Sequence, residues 1–205
     1  LPPQDQSYRE LQDKGLPVIA IDRSMDPKAF CSVVSDDQPA SLQLTRSLLE
    51  LSPGNIALIG ARPELSVSQA RASGFDQALH AFSGKVSQYQ GDAFSRECGR
   101  QLMNQVLADL GRLPDALVTT SYVLLQGVFD VLSTRPADSR ALHLGTFGDT
   151  QLLDFLPLPV NAMAQQHGLI ADTALQLALA AVEQKHYQPG IHAVARTFKQ
   201  RIFKG

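Results

Sequence analysis

Short apolar runs alternate regularly with longer stretches of helical periodicity along this chain. The apolar runs predict strands at 16–21, 32–34, 55–60, 86–89, 116–119, 141–147 and 158–164, with one or two more within 191–202. Helical patterns separate them at 66–81, 95–110, 122–132 and 169–182, and a further helix follows an N-cap signal at 36–39. Strands joined by helices form parallel sheets through right-handed crossovers, with helices on both faces. The sequence therefore predicts an α/β fold with mostly parallel sheets.

The residues that follow the apolar runs are the first candidates for a binding site, because ligands of such folds bind at the carboxyl ends of the strands. They are Asp22 and Arg23, and then the residues at 60–62, 120–122 and 147–149. We expect any binding site of the chain to draw on these positions.

The composition excludes several classes of protein. The 205 residues are 44% hydrophobic and 19% charged, with a formal net charge of -2. This apolar fraction is ordinary for a folded core and argues against disorder. No run approaches the about 18 consecutive apolar residues of a membrane helix, and the charge balance argues against a nucleic-acid-binding surface within this segment. We expect one large domain or two small lobes, and no membrane partner.

The two cysteines, Cys31 and Cys98, are far apart in the sequence and form no C-x-x-C pattern. Without a histidine nearby they do not suggest a metal or redox site, and two buried or partly buried free thiols are the simplest interpretation. A disulfide stays open at this stage because it depends on geometry. No signal-peptide pattern follows Leu1, which favours a cytoplasmic protein.

Two arginines stand where a ligand cleft is expected. Arg23 follows a predicted strand beside Asp22, and Arg71 lies in the predicted helix after NIALIG. The alternative is that both are ordinary solvated side chains and that Asp22 only forms a turn. Two guanidinium groups converging on one cleft would bind a phosphorylated or carboxylated ligand, because the planar guanidinium binds such groups through paired hydrogen bonds.

Other polar residues have a structural and a functional interpretation. Asp149 is most simply the N-cap of a following helix, although a carboxylate at a strand end also suits sugar hydroxyls. Gln165 and Gln166 follow the last strand before the 169–182 helix and form either a plain connection or hydrogen-bonding groups for a ligand. The acidic pair at 36–37 is most simply a capping feature.

Signals for catalysis are poor. The sequence has no G-x-G-x-x-G after a strand, no G-x-x-x-x-G-K-[ST] loop and no G-x-S-x-G elbow. The five histidines are scattered without metal-binding spacing. We therefore expect a protein that is not an enzyme and that has no metal site and no cofactor.

Several segments, taken in order, resemble a known family. They are SVVSDDQ at 32–38, NIALIG at 55–60, SVSQARASGF at 66–75, PDALVTTS at 114–121, LGTFGD at 144–149 and VNAMAQQ at 160–166. This succession covers nearly the whole chain and resembles the effector-binding core of the lactose-repressor (LacI/GalR) family of bacterial transcriptional regulators. Within that family, PELSVS at 63–68 and TFGDTQLLDF at 146–155 are similar to a regulator of fructose metabolism.

The resemblance implies the fold of periplasmic binding proteins, in which three strand crossovers join two Rossmann-like lobes and the effector binds between them. Mapped onto this sequence, the N-terminal lobe comprises 1–35 and 165–193, and the C-terminal lobe comprises 36–164 and 194–205. In the family, the first lobe starts with a βαβ unit that would precede Leu1. We therefore expect an incomplete first lobe, with part of its sheet exposed at an edge or covered by a partner.

The resemblance also implies an effector. The effector class is a fructose phosphate, with fructose 1-phosphate first and fructose 1,6-bisphosphate second. The family's inducer-binding arginine, in its R-x-x-G-F motif, falls on Arg71, and the position after its A-x-D strand falls on Asp22 and Arg23. The two arginines would bind the phosphate from opposite lobes, and Asp22 would hold fructose hydroxyls.

Two more family positions are implied as effector contacts. The aromatic and acidic residues after the sixth strand fall on Phe147 and Asp149, although Gly148 replaces the first acid usual in the family. The crossover glutamine falls on Gln165. Asp149 and Gln165 would hold sugar hydroxyls.

The function implied is that of the effector-binding and dimerising core of a transcriptional repressor in catabolite repression, present as a homodimer or a tetramer. Operator DNA would be bound only through a DNA-binding domain that is not in this chain, and effector binding would shift the lobes and relieve operator binding. One alternative is a periplasmic sugar-binding protein that feeds a transporter, whose sugars usually arrive unphosphorylated. Another is a Rossmann-like enzyme that acts on a sugar phosphate.

Overall fold

The structure of the protein is a computed structural model that describes residues 6–136, 141–183 and 187–202. Its α-helices are α1 (Gln6–Asp13), α2 (Asp37–Leu49), α3 (Ser66–Ala78), α4 (Arg96–Leu110), α5 (Tyr122–Leu132) and α6 (His167–Glu183). Its strands are β1 (Ile19–Ile21), β2 (Cys31–Ser35), β3 (Asn55–Ala61), β4 (Lys85–Gly91), β5 (Ala116–Thr119), β6 (His143–Phe147), β7 (Val160–Ala164), β8 (Gly190–Val194) and β9 (Thr197–Lys199). A 3₁₀ helix spans Gln151–Phe155 between β6 and β7.

The strands form two sheets, with the orders β1-β2-β8 and β4-β3-β5-β6-β7-β9. Neighbouring strands run parallel in both sheets, except that β9 runs antiparallel to β7. Helices connect most of the parallel neighbours, as parallel pairing requires. The predicted α/β fold with mostly parallel sheets is confirmed.

The described residues divide into two compact units. Unit 1 consists of those within Leu1–Asp36 and Gln165–Arg196, and it contains the three-stranded sheet with α1 and α6. Unit 2 consists of those within Asp37–Ala164 and Thr197–Gly205, and it contains the six-stranded sheet with α2 to α5.

The sheet of unit 2 is covered by helices on both faces. Alternate residues of β3 point to opposite faces, as strand geometry dictates. Ile56 and Leu58 belong to a core layer with side chains of α2 and α3, whereas Ala57 and Ile59 belong to a larger layer with side chains of α4 and α5. Every residue of β3 is buried, which explains why this strand is a continuous apolar run in the sequence.

Unit 1 has a smaller core. Its buried apolar cluster consists of Val33, Ile170, Ala174 and Val194. Strand β1 is an edge of the sheet, and Ile21 at its end is 51% exposed. None of the described helices, here or in unit 2, combines the length and the apolar character that crossing a lipid bilayer requires.

Elements with a strong local signal fall where the sequence predicts them. Strand β5 and helix α5 have the predicted bounds, because the strand is uniformly buried and Ser121 caps the helix by accepting a hydrogen bond from the Val123 amide. Cys31 and Cys98 are buried and free, which confirms the simplest interpretation of the two thiols.

Two local features differ from the predictions. Helix α1 was not predicted, since its sequence QSYRELQD is mostly polar. Asp149 as a helix N-cap is wrong: Thr150 occupies the cap of the 3₁₀ helix, and its hydroxyl accepts from the Leu152 amide at 3.4 Å. The Asp149 carboxylate has another partner, described below.

Candidate functional site

The carboxyl ends of β3, β5 and β6 lie at one edge of the unit 2 sheet, because these strands are parallel neighbours. This edge is where ligands bind in open α/β sheets. Phe147 is the last residue of β6 and Thr120 follows β5. Arg71 on α3 contacts both of these residues, so the edge carries the arginine that the sequence pattern singles out.

Arg71 is held by groups from α2, from the connection after β5 and from β6. Its Nε donates to Asp37 Oδ1 at 3.1 Å, and its Nη1 donates to the Thr120 carbonyl oxygen at 2.6 Å. Its guanidinium carbon lies 4.4 Å from the centroid of the Phe147 ring. The side chains of Arg71 and Asp37 are 11% and 8% exposed. A charged group paired and stacked in this way keeps a fixed orientation at the sheet edge.

The backbone of Arg71 is positioned by close packing of α3 on α2. Gly74 permits the approach, since a Cβ at this position would lie 2.2 Å from the Gln38 carbonyl oxygen. Ser41 Oγ donates to the Arg71 carbonyl oxygen at 2.6 Å, and the fully buried Phe75 anchors the helix in the core. The R-x-x-G-F segment therefore has a structural explanation: the glycine and the phenylalanine fix the helix that carries the arginine.

Asp37 has a role that the sequence did not indicate. It is the first residue of α2 and is buried, and its Oδ1 accepts from Arg71. No local sequence pattern connects Asp37 to Arg71, which lies 34 positions away.

Threonine hydroxyls lie at the same edge. Thr119 Oγ1 donates to Thr146 Oγ1 at 2.8 Å and so links β5 to β6. Thr120 is 2% exposed, and its Oγ1 has no hydrogen-bond partner among the described residues. A buried hydroxyl without a partner costs free energy, and this one belongs to the residue whose carbonyl oxygen accepts from Arg71. The sequence placed Thr120 at a strand end but did not single it out.

The connection after β6 turns at Gly148, where φ is 91°. This left-handed backbone region favours glycine, and a Cβ there would lie 3.1 Å from the Tyr122 Cβ. The structure therefore explains why glycine stands where the resembled family usually has an acid. The carboxylate at the turn is supplied by Asp149 alone, whose side chain is 20% exposed.

Asp149 is paired with Arg201, a residue that the sequence analysis missed. Arg201 Nη2 donates to Asp149 Oδ1 at 2.9 Å, and Nε donates to Asp154 Oδ1 at 2.7 Å. Burial disfavours the charge on Arg201, but its hydrogen bonds to the two carboxylates outweigh this effect and raise its pKa. No signal in the sequence identifies the pair, because 52 positions separate Arg201 from Asp149.

In unit 1, the structure brings Asp22 and Gln165 together. Asp22 follows β1 with φ 59°, and its amide donates to the Val33 carbonyl oxygen at 3.0 Å. Gln165 Nε2 donates to Asp22 Oδ1 at 2.6 Å. Gln165 is therefore more than a plain connection, because it fixes the carboxylate that ends β1.

Arg23 is exposed and lies next to Asp22 at the same strand end. It lines a cavity of about 250 Å³ along β1, together with Tyr8, Ser24 and Met25 among other residues. Most of this lining is apolar, and Arg23 brings a positive charge to one end of it.

The two units thus present two small constellations. In unit 2, Arg71 stacks on Phe147, and Arg201 binds Asp149. In unit 1, Gln165 binds Asp22, which is next to Arg23 in the sequence. Guanidinium groups bind phosphate or carboxylate, and carboxylate and amide oxygens accept from hydroxyls, so this chemistry suits a hydroxyl-bearing anion. Within 6–136, 141–183 and 187–202, no group of three or more His, Cys, Asp or Glu residues is arranged to hold a metal ion.

Comparisons with known proteins agree with this chemistry. A family model described as "Periplasmic binding proteins and sugar binding domain of LacI family" matches residues 4–135. The fructose operon regulatory protein of Vibrio cholerae is 45% identical over 98% of this chain, and the catabolite repressor/activator of Escherichia coli is 36% identical over 98%. A crystal structure of the Cra transcriptional dual regulator from Pseudomonas putida, in complex with fructose 1-phosphate, is 75% identical. It covers 99% of this chain and 75% of its own, with a TM-score of 0.94.

The chain spans about three fifths of the length of these curated relatives, at 61% and 60%. All three relatives are named as regulators and none as an enzyme. The resemblance to the LacI/GalR family, and within it to a regulator of fructose metabolism, is confirmed by these matches, which include the catabolite repressor/activator Cra. Because the family model matches more than half of the residues, the chain belongs to the family of periplasmic binding proteins and LacI-family sugar-binding domains.

Proposed function

We propose that this chain is the effector-binding core of a cytoplasmic, DNA-binding regulator of carbon metabolism, and that its effector is fructose 1-phosphate. The observation that carries the proposal is the 75% identity, over 99% of the chain, to a regulator crystallised with that sugar phosphate. Fructose 1,6-bisphosphate is proposed as a second candidate effector.

Arg71 is proposed as the principal phosphate-binding group. It is already oriented by Asp37, the Thr120 carbonyl oxygen and the Phe147 ring, so little side-chain ordering remains to oppose binding. Charge-assisted hydrogen bonds contribute about 1.5–3 kcal/mol each. Arg23 is proposed as a second cation for the same phosphate, on the strength of the family resemblance.

The carboxylates are proposed to hold the fructose hydroxyls. Asp22 is fixed by Gln165 and Asp149 by Arg201, at 2.6 Å and 2.9 Å. A carboxylate oxygen accepts more than one hydrogen bond, so each acid can hold its partner and a hydroxyl at the same time. Gln165 would add an amide group to the same set.

Regulation is proposed to follow from differential affinity. An effector shifts a conformational equilibrium only by the difference in its affinity for the two states. In the whole regulator, binding of the sugar phosphate would favour the arrangement that releases operator DNA. The DNA contacts are assigned to a part of the regulator outside this chain.

Dimerisation is proposed on the basis of an exposed apolar surface in unit 2. Leu152 and Phe155 on the 3₁₀ helix are 63% and 84% exposed, and they border a groove of about 440 Å³ with Phe129 and Leu125 of α5. Exposed apolar patches of this kind mark interaction sites. Sedimentation equilibrium should therefore report a dimer or tetramer, and a monomer at micromolar concentration would contradict the proposal.

Isothermal titration calorimetry tests the effector. We expect fructose 1-phosphate to bind, and fructose and inorganic phosphate to bind at least ten-fold more weakly. Fructose lacks the phosphate for the arginines, and inorganic phosphate lacks the sugar hydroxyls for the carboxylates. Tighter binding of unphosphorylated fructose would instead favour a sugar-binding protein of a transporter. Turnover of the sugar phosphate would favour an enzyme.

A further inference from the structure

The ion pair between Arg201 and Asp149 uses only one of the two carboxylate oxygens of Asp149. Arg201 Nη2 donates to Asp149 Oδ1, while Asp149 Oδ2 has no hydrogen bond within the part of the chain that the structure describes. The Asp149 side chain is 20% exposed. One carboxylate oxygen is therefore fixed by a cation, and the other remains available to an incoming donor.

Arg201 is itself fixed by its backbone. Asn161 is fully buried on β7, and its Oδ1 accepts from the Arg201 amide at 2.8 Å and from the Ile202 amide at 2.9 Å. Asn161 Nδ2 donates in turn to Ser47 Oγ on α2 at 3.0 Å. The segment that carries Arg201 is thus tied to the centre of unit 2, and its side chain, 15% exposed, cannot swing away without breaking several bonds.

The charge on Arg201 also bears on an anionic ligand. An isolated Asp149 carboxylate close to a phosphate would repel it, because like charges at short distance raise each other's energy in a medium of low dielectric. Arg201 neutralises this carboxylate and leaves its acceptor oxygen in place. The pair can therefore accept from a sugar hydroxyl without opposing the phosphate of the same molecule.

We propose that Arg201 is a positioning residue for the sugar phosphate, which acts by orienting and neutralising Asp149. The inference rests on the proposed function, since it assigns Asp149 to the effector. It adds to the site a residue from the segment after β9, far along the chain from the other contacts. Arg201 is not proposed to touch the ligand.

The test is a double-mutant cycle on fructose 1-phosphate affinity, measured by calorimetry with Arg201→Gln, Asp149→Asn and the double variant. We expect R201Q to weaken binding about ten-fold in the unaltered background and less than about two-fold when Asp149 is already asparagine. Damage to the fold alone would weaken binding equally in both backgrounds. Arg201→Lys should recover part of the affinity, because it keeps the charge but loses the planar donor pair.

Asp154→Asn is the matched control. Asp154 is bonded to the same guanidinium, but its side chain is 56% exposed and exposed ion pairs contribute little. We expect D154N to change the affinity less than about two-fold. A loss in D154N equal to that in R201Q would overturn the assignment, because it would locate the effect in Arg201's packing instead of in Asp149.

The outcomes separate this inference from the proposed function. Unchanged affinity in R201Q, with binding intact in the unaltered protein, overturns the role of Arg201 alone. No binding of fructose 1-phosphate by the unaltered protein overturns the proposed function and this role together. A thermal unfolding scan of each variant shows whether a loss of affinity follows a loss of folded protein.

Discussion

The two units present their arginines in contrasting ways. In unit 2, Arg71 is 11% exposed and is bonded to Asp37 and to the Thr120 carbonyl oxygen, over the Phe147 ring. In unit 1, Arg23 is exposed at the end of an edge strand. Unit 2 therefore offers a cation that is oriented before any ligand arrives, and its contribution to binding is tied to its contribution to stability. Arg23 is exposed, so its side chain loses less freedom on folding and more on binding.

The hydrophobic cores of the two units also differ, and the core of unit 2 is the more extensive. Unit 2 buries apolar layers on both faces of its sheet, whereas unit 1 buries one small cluster and, outside it, Met25, Phe30 and Cys31. Helix α6 of unit 1 exposes large apolar side chains, namely Leu169, Leu175, Leu179 and Val182. Apolar groups stabilise a fold in proportion to the area they remove from water, so the stability of the described chain is concentrated in unit 2.

The largest effect is expected in the unit 2 core. Phe75→Ala removes a fully buried ring, and we expect the free energy of unfolding to fall by about 3–5 kcal/mol. Leu175→Ser in unit 1 is the contrast, because Leu175 is 58% exposed and its replacement should change stability by less than about 0.5 kcal/mol. Urea denaturation measures both.

A comparable loss in Leu175→Ser would break the comparison. It would mean that the α6 surface is covered in solution, and the same variant would then also change the sedimentation of the protein.

The next largest effects, on stability and on fructose 1-phosphate affinity, are expected from replacing Arg71 and Arg23. Arg71→Ala leaves the buried Asp37 carboxylate without its guanidinium, so we expect a loss of about 3 kcal/mol in stability together with at least a ten-fold loss of fructose 1-phosphate affinity. Arg23→Ala should weaken binding by at least ten-fold but change stability by less than about 1 kcal/mol, because the contacts of an exposed charged side chain contribute little. Calorimetry and urea denaturation of the two variants provide the measurements.

Unchanged affinity in both arginine variants would contradict their role in phosphate binding. A large loss of stability in Arg23→Ala would instead show that the exposed arginine is as much a structural residue as Arg71.

The third and smallest of the main effects on stability is expected from two polar side chains, one in each unit. Each is hydrogen-bonded to backbone groups at or near the start of a strand. In unit 2, Asp115 Oδ2 accepts from the amides of Gly54 and Asn55 at 2.9 Å and 3.0 Å. In unit 1, the Tyr187 hydroxyl accepts from the Cys31 amide at 2.9 Å and donates to the Val18 carbonyl oxygen at 2.7 Å. We expect Asp115→Asn and Tyr187→Phe each to cost about 1–2 kcal/mol at neutral pH.

The two groups should respond differently to pH. The Arg112 hydrogen bond, helped by the Asn55 and Gly54 amides, lowers the pKa of Asp115 in the folded protein. The stabilisation by Asp115 is therefore present above its unfolded pKa of about 4 and is lost as the pH falls through the folded value. Burial raises the pKa of Tyr187, so its contribution persists in acid and is lost only at strongly alkaline pH.

Urea denaturation between pH 7 and about pH 3 distinguishes the two cases. The stability difference between the unaltered protein and Asp115→Asn should shrink as the carboxyl group protonates, whereas the difference for Tyr187→Phe should stay constant. A difference for Asp115→Asn that does not change with pH would contradict the role of its charge.

Much of the fold could be predicted because its signals are local. Strand β5 and helix α5 were predicted with their bounds from a buried apolar run and a serine cap. The turn at Gly148 was not predicted, since its left-handed backbone appears only in the structure. The local sequence offers Asp149 a cap or a ligand-binding role but not its actual partner, because Arg201 lies 52 positions away.

Periodicity and motifs predict the α/β class, the order of the elements after α1 and the candidates Arg23 and Arg71, because these signals depend on residues within a few positions of each other. The partners of these two arginines depend instead on how the chain folds. The bonds from Arg71 to Asp37 and to Thr120 span 34 and 49 positions. Such contacts form when packing brings distant segments together, and packing depends on the shape of the whole core.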